Sequence, residues 1–225
     1  MIAYDESYVA GTQRRLGAMV DFAVAGCGYD PDEFFSRFIA CGLAARFGAG
    51  DPAIVAGHSG EELALEVLEA CGDQVPGMAT WAPKPAASPE YWAGWALAFY
   101  QWASGKTFPA IIESSSVSHI IDLYNPFHEM DIRQLCDRLD EEFDIAHPYS
   151  SLKERRLASG LSQAQLAAIS GVPLRTLQQY EQRQKDINRA RAEYVTALAR
   201  ALCCSPADLL EYRCNPRVDY ALVRF

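Results

Sequence analysis

The residues best suited to recognition chemistry lie in one short run, Leu174-Arg175-Thr176-Leu177-Gln178-Gln179-Tyr180. Read at helical spacing, Leu177 and Tyr180 share one side. Leu174, Arg175, Gln178, Gln179 and Gln182 fall on the other. A solvated helix face ordinarily carries Glu and Lys, whereas this one carries Arg and Gln. An Arg guanidinium bonds guanine O6 and N7 through two hydrogen bonds, and a Gln amide pairs with adenine N6 and N7 in the same way. The chemistry this face offers is the reading of base edges.

Such a face needs elements to hold it. Ser150–Ser159 reads as a first helix ended by Gly160. Ser162 caps a second, Gln163–Ser170, with Leu166, Ala167 and Ile169 inward. Gly171 occupies the turn, where positive φ costs little. Pro173 opens the third helix. Two short helices joined by so tight a turn form the pattern that lays a helix in the DNA major groove.

The charge distribution agrees with a division of labour. The 225 residues carry a net charge of −9, which by itself argues against a nucleic-acid binder. Residues 150–225 hold 12 Lys/Arg and 7 Asp/Glu, net +5, while residues 1–149 hold 8 and 22, net −14. A basic module follows an acidic one, and phosphates repel the acidic part.

The acidic part reads as helical throughout. Asp30-Pro31 and Ser88-Pro89 are helix starts, and Ser59 with Glu62 forms a capping box. Residues 72–89, with Pro76, Pro83, Pro85 and Pro89, are an irregular connector. In Ser88–Gly105, Trp92, Trp95, Phe99 and Trp102 recur at helical spacing within an apolar surround. This marks the buried centre of a bundle; a ligand pocket around Tyr91, Trp92 and Trp95 is the competing reading. The Asp140-Glu141-Glu142 run reads as a solvated face. Val218, Tyr220 and Leu222 alternate as in a short strand.

Several classes are excluded. The N-terminus has no signal-peptide core, and no run is long and apolar enough to span a membrane, so a cytoplasmic chain is expected. Cys27, Cys41, Cys71, Cys136, Cys203, Cys204 and Cys214 include no C-x-x-C pair and read as small buried hydrophobes in a reducing compartment. His58, His119, His128 and His147 are scattered, so neither a metal site nor a cofactor is expected. No nucleophile elbow, phosphate loop or acid–base pair at a telling spacing appears, so no enzyme is expected.

Residues 150–212 resemble the lambda-repressor-like (Cro/XRE) helix-turn-helix domain of five helices. Leu161-Ser162-Gln163, Leu166-Ala167, Gly171-Val172 and Leu177 with Tyr180-Glu181 fall in that family's register. The resemblance implies that Leu174, Arg175, Gln178 and Gln179 face bases, although Leu174 stands where a polar residue is common and suits a thymine methyl instead. It implies that Gln163, Arg183, Lys185 and Asn188 reach phosphate. It implies a structural ion pair between Arg156 and Glu181. The organisation that follows is an all-α chain: residues 1–146 as a partner- or ligand-binding domain, 150–212 as the DNA-binding domain, and 213–225 as a tail. The first part resembles all-α regions that precede such domains in bacterial regulators, some of them encoded beside toxins. The expected function is a dimeric repressor on double-stranded DNA. The alternative is an antitoxin-like protein whose acidic domain neutralises a toxin. A small-molecule sensor is a variant of it.

Overall fold

The computed structural model describes residues 3–73, 88–211 and 214. These residues are helical, with no strand among them. Most of the Pro-rich connector, and the strand read at Val218, Tyr220 and Leu222, lie outside the described residues. Contacts divide the chain into two units, Met1–Ala146 with Arg213–Phe225 and His147–Tyr212. Among the described residues no helix is long and apolar enough to cross a membrane.

The first unit contains α1 (Val9–Asp21), α2 (Pro31–Ala40), α3 (Leu43–Gly48), α4 (Pro52–Val55), α5 (Gly60–Cys71), α6 (Pro89–Ser104), α7 (Phe108–Ser114), α8 (Val117–Asp122), α9 (Tyr124–Phe127) and α10 (Ile132–Ala146). Local chemistry sets many of the helix ends. Asp30 accepts the N–H groups of Asp32 and Glu33, and Pro31 follows at the first position. Ser59 and Glu62 cap each other's backbone. Ser88 accepts the Tyr91 N–H, and Gly105 closes α6 in the left-handed region at φ 72°. Each arrangement satisfies backbone groups that the helix itself leaves unpaired.

Helix α6 is the axis of this unit. Every residue from Trp92 to Ser104 is buried, as expected of a helix apolar on all sides. Its partner α1 approaches to backbone contact. A Cβ on Gly94 would lie 2.8 Å from the Leu16 carbonyl carbon and 2.9 Å from Gly17 Cα, and one on Gly17 would lie 2.8 Å from the Tyr91 oxygen. The crossing therefore requires glycine on both helices. Phe35, Phe38, Phe47 and Phe108 fill the space beside it. Phe35 meets Phe38 and Phe108 edge-on at centroid distances of 5.4 and 5.5 Å, the arrangement aromatic quadrupoles favour.

Trp92 and Trp95 lie in the core, as the bundle-centre reading has it: Trp92 is 1% exposed and packs edge-on against Tyr124, and Trp95 is 8% exposed. Two other readings are corrected here. The acidic run is not a solvated face. Asp140 accepts from Lys106 Nζ at 2.5 Å and Tyr100 OH at 2.8 Å. Glu142 accepts from Ser115 Oγ at 2.6 Å, pairs with His119 Nε2 at 3.0 Å, and accepts from Arg138 Nε at 2.7 Å. Only Glu141 of the three is exposed. Apart from Arg138, one turn away on the same helix, their partners come from α6, α8 and the loops flanking α7, out of reach of any local pattern. Finally, of the seven free cysteines Cys136 alone is buried, and Cys71 and Cys203 are exposed. Cys27, Cys41, Cys204 and Cys214 are half-buried and pack against the edges of the two cores.

Candidate nucleic-acid interface

The second unit carries α11 (Ser151–Ala158), α12 (Gln163–Ser170), α13 (Leu174–Glu181) and α14 (Ala192–Ala201), with short 3-10 turns at Ile187–Arg189 and Pro206–Leu209. The fifth helix of the sequence reading is the last of these turns. Ser150 caps α11 by accepting the Lys153 N–H, and Ser162 with Gln165 forms a capping box on α12. Gly171 ends α12 at φ 72°, and Pro173, in extended backbone, turns the chain into α13. Leu152, Leu166, Leu177, Leu198 and Leu209 form the centre of a small separate core. Ile169, read as inward, is 61% exposed: at α12's last turn it falls past the stripe that Leu166 buries.

Orientation of α13 depends on a buried fork. Arg156 Nε and Nη2 donate to the two Glu181 oxygens at 2.6 and 3.0 Å, and Arg156 Nη1 donates to the Leu161 carbonyl at 2.7 Å. The two side chains are 8% and 1% exposed. The hydrogen bond to Glu181 pushes the guanidinium's pKa still higher than usual. Gln163 extends the network: its Nε2 donates to Glu181 Oε2 at 2.8 Å, and its Oε1 accepts from Gln178 Nε2 at 3.2 Å. One chain of bonds thus joins α11, the start of α12 and the outer side of α13.

Beyond that network lies the face read from sequence. Leu174 is 41% exposed. The Arg175 side chain is exposed and makes no hydrogen bond or ion pair among the described residues. Gln178 and Gln179 are half-buried beside it, while Leu177 and Tyr180 point into the core. Arg175 is thus a cation held out from a rigid helix with its donors unspent.

The four residues assigned to phosphate divide. The Lys185 side chain is exposed and makes no hydrogen bond or ion pair among the described residues. Gln163 is committed to the brace but retains a second amide hydrogen. Arg183 and Asn188 make bonds inside the unit. Arg183, at φ 53°, donates through Nε to Glu211 Oε2 at 2.9 Å and through Nη2 to the carbonyls of His147 and Tyr149 at 3.2 and 3.1 Å. Asn188 Nδ2 donates to the Glu211 carbonyl, and its Oδ1 accepts the Glu211 N–H at 3.0 Å.

Sequence reasoning missed Glu211 altogether. It also accepts the Ser151 N–H at 3.2 Å, so it ties together the start of α11, the loop after α13 and the segment after α14. Its partners lie 23 to 60 residues away, and no local spacing signals it.

This geometry can be set beside known proteins. Residues 152–209 match the family model described as helix-turn-helix. No curated protein matches the chain, and no solved structure does. The matched span covers α11 to the last 3-10 turn and contains the whole brace and the whole α13 face. Residues 152–209 of this chain are a Cro/XRE-type helix-turn-helix domain, a match that supports a DNA-binding transcription regulator.

Proposed function

We propose that the protein is a sequence-specific transcriptional repressor that binds its operator as a homodimer. Helix α13 enters the major groove. Arg175 reads a guanine, Gln178 and Gln179 read adenines, and Leu174 rests against a thymine methyl. Lys185 and the spare hydrogen of Gln163 hold phosphate. Arg183 and Asn188 shape the loop that presents Lys185. Two copies would span half-sites about 34–36 Å apart.

The observation that carries this reading is the buried Arg156–Glu181 fork, which fixes α13 while Arg175 stays exposed and unspent. A merely solvated helix has no need of such a brace. Selection from random duplexes tests it. The full chain should enrich a palindromic motif with a guanine at a fixed position, and loss of that preference should follow Arg175→Ala. Enrichment of no motif rejects specific recognition.

A second reading has its own support. The net −14 of residues 1–149, gathered on a unit with its own large core, suits an antitoxin-like protein that captures a partner while the C-terminal domain represses the shared promoter. Co-expression of the full chain with the neighbouring gene product tests it. Failure to co-purify, together with no relief of that product's toxicity, rejects it.

A further inference from the structure

We propose that Cys136 and Cys214 are a redox-responsive dithiol, which hydrogen peroxide or another oxidant of the peroxide class closes to a disulfide. Both cysteines belong to the first unit, so this is independent of the DNA-reading proposal.

The two thiols are brought together from far apart in the chain. Cys136 lies on α10 and is fully buried. Asp140 stands four residues on, one turn along the same face of that helix. Its Oδ1 is fixed by Lys106 Nζ at 2.5 Å and by Tyr100 OH at 2.8 Å. Its Oδ2 accepts the Cys214 N–H at 3.1 Å. A carboxylate locked in place thus anchors the Cys214 backbone one turn from Cys136. The Cys214 side chain packs against the core that contains Cys136, and the two thiols share a hydrogen bond. Sulfurs in that contact need only small side-chain rotations to reach the S–S bond length of about 2.05 Å.

The pair is asymmetric. The hydrogen bond with Cys214, and burial after it, push the Cys136 thiol pKa well up, and a buried, protonated thiol is inert towards oxidants. Cys214 is half-buried, so it meets the peroxide first. Its sulfur attacks one peroxide oxygen and the O–O bond breaks. The departing hydroxide takes the Cys214 proton and leaves as water, and Cys214 becomes a sulfenic acid. The Cys136 sulfur then attacks the Cys214 sulfur. The S–S bond forms as the S–OH bond breaks, and the hydroxide takes the Cys136 proton as a second water. Each cysteine sulfur gives up one electron, and the peroxide takes both.

The bond closes a loop from residue 136 to residue 214 that contains the whole of the second unit, His147–Tyr212. With both cysteines reduced, the chain that leaves that unit is held at α10 by hydrogen bonds. Once they are oxidised, it is held there covalently. Where thiols are otherwise kept reduced, a bond of this kind is transient and signals oxidant.

Peptide mapping of the reduced full chain after brief exposure to hydrogen peroxide tests this. Remaining thiols are alkylated in denaturant, and trypsin is applied without reductant. Cleavage at Arg133, Arg138, Arg213 and Arg217 places the two cysteines in separate short peptides, residues 134–138 and 214–217. The expected product is these two peptides joined, lighter than their sum by two hydrogens and parted by dithiothreitol. It should form about tenfold faster in the folded chain than in urea, because contact raises the effective concentration of one sulfur at the other. In Cys214→Ser, Cys136 should stay a free thiol under the same exposure. The comparison of folded with urea-treated chain uses no variant, so it stands even if Cys214→Ser fails to fold. Absence of the joined peptide overturns the proposal. So does equally fast formation in urea, and so does oxidation of Cys136 in Cys214→Ser at the rate seen in the unaltered chain.

Discussion

Replacing Arg156 by Met tests the brace beneath α13 most directly. The substitution keeps the length of the aliphatic stem and removes the guanidinium. Three hydrogen bonds disappear, at 2.6, 3.0 and 2.7 Å. Glu181, 1% exposed, then keeps only the Gln163 amide. Removing one partner of a buried pair costs about 3–5 kcal/mol, because the surviving charge is left without its counterion. At about 0.05–0.15 kcal/mol per residue, a unit the size of His147–Tyr212 has only about 3–10 kcal/mol of stability in all. Arg156→Met should therefore bring this unit close to unfolding at room temperature.

The double replacement Arg156→Met with Glu181→Leu should be less destabilised than Arg156→Met alone, because no charge is then stranded. Urea denaturation reports this cleanly. All four Trp precede residue 103, so Trp fluorescence follows the first unit and serves as an internal control, while far-ultraviolet circular dichroism follows both. The expected outcome is a large shift in the part of the dichroism transition that Trp fluorescence does not share. A loss under about 1 kcal/mol, or a double variant as unstable as the sum of the singles, would refute the stranded-charge argument.

Other predictions concern packing, buried charge, pH and recognition. Gly94→Ala sets a Cβ against backbone of α1 that cannot rotate away, and should cost about 1–3 kcal/mol in the Trp-monitored transition. Lys106→Met leaves Asp140 with Tyr100 OH and the Cys214 N–H as donors but no counterion; a loss of about 3 kcal/mol is expected in the same assay. For Glu142, burial works upward on the carboxyl, but hydrogen bonds from Ser115 and His119 and the pairing with Arg138 outweigh it and hold its pKa below the usual carboxylate range. A depressed carboxyl contributes stability that is fully present above its unfolded pKa, near 4.3, and is lost as pH falls through the folded value. Glu142→Gln should remove that part of the acid sensitivity, as thermal melts between pH 6 and 3 would show. In DNA binding, Lys185→Ala should weaken all duplexes alike and lower the salt slope by about 1, whereas Arg175→Ala should lose preference at one base pair with a cost of about 1–3 kcal/mol.

Much of this protein is legible from spacing alone, and the legible parts share a cause. Caps at Asp30, Ser59, Ser88, Ser150 and Ser162 each serve an N–H two or three residues on, so the information is local. The period of Leu177 and Tyr180 against Arg175 and Gln178 is local too, and it separates core from candidate reading face without any knowledge of the fold. The aromatic helix α6 announces its own burial, since no single side of it is polar enough to meet water.

What tertiary structure decided is where polar groups end up when their partners lie far along the chain. Asp140 and Glu142 look solvated by composition, yet they are sequestered because Lys106, Tyr100, Ser115 and His119 arrive from other helices and loops. Arg183 and Asn188 read from the sequence as surface residues with no internal partner, yet both bond Glu211. Gly17 and Gly94 look like interruptions in helices, and only the crossing of α1 with α6 shows that a Cβ has no room there. Periodicity determines which side of an element is apolar because that depends on neighbours within a turn. The pairing of a buried charge depends on which distant segment the core brings alongside it, and that is settled only when the chain folds.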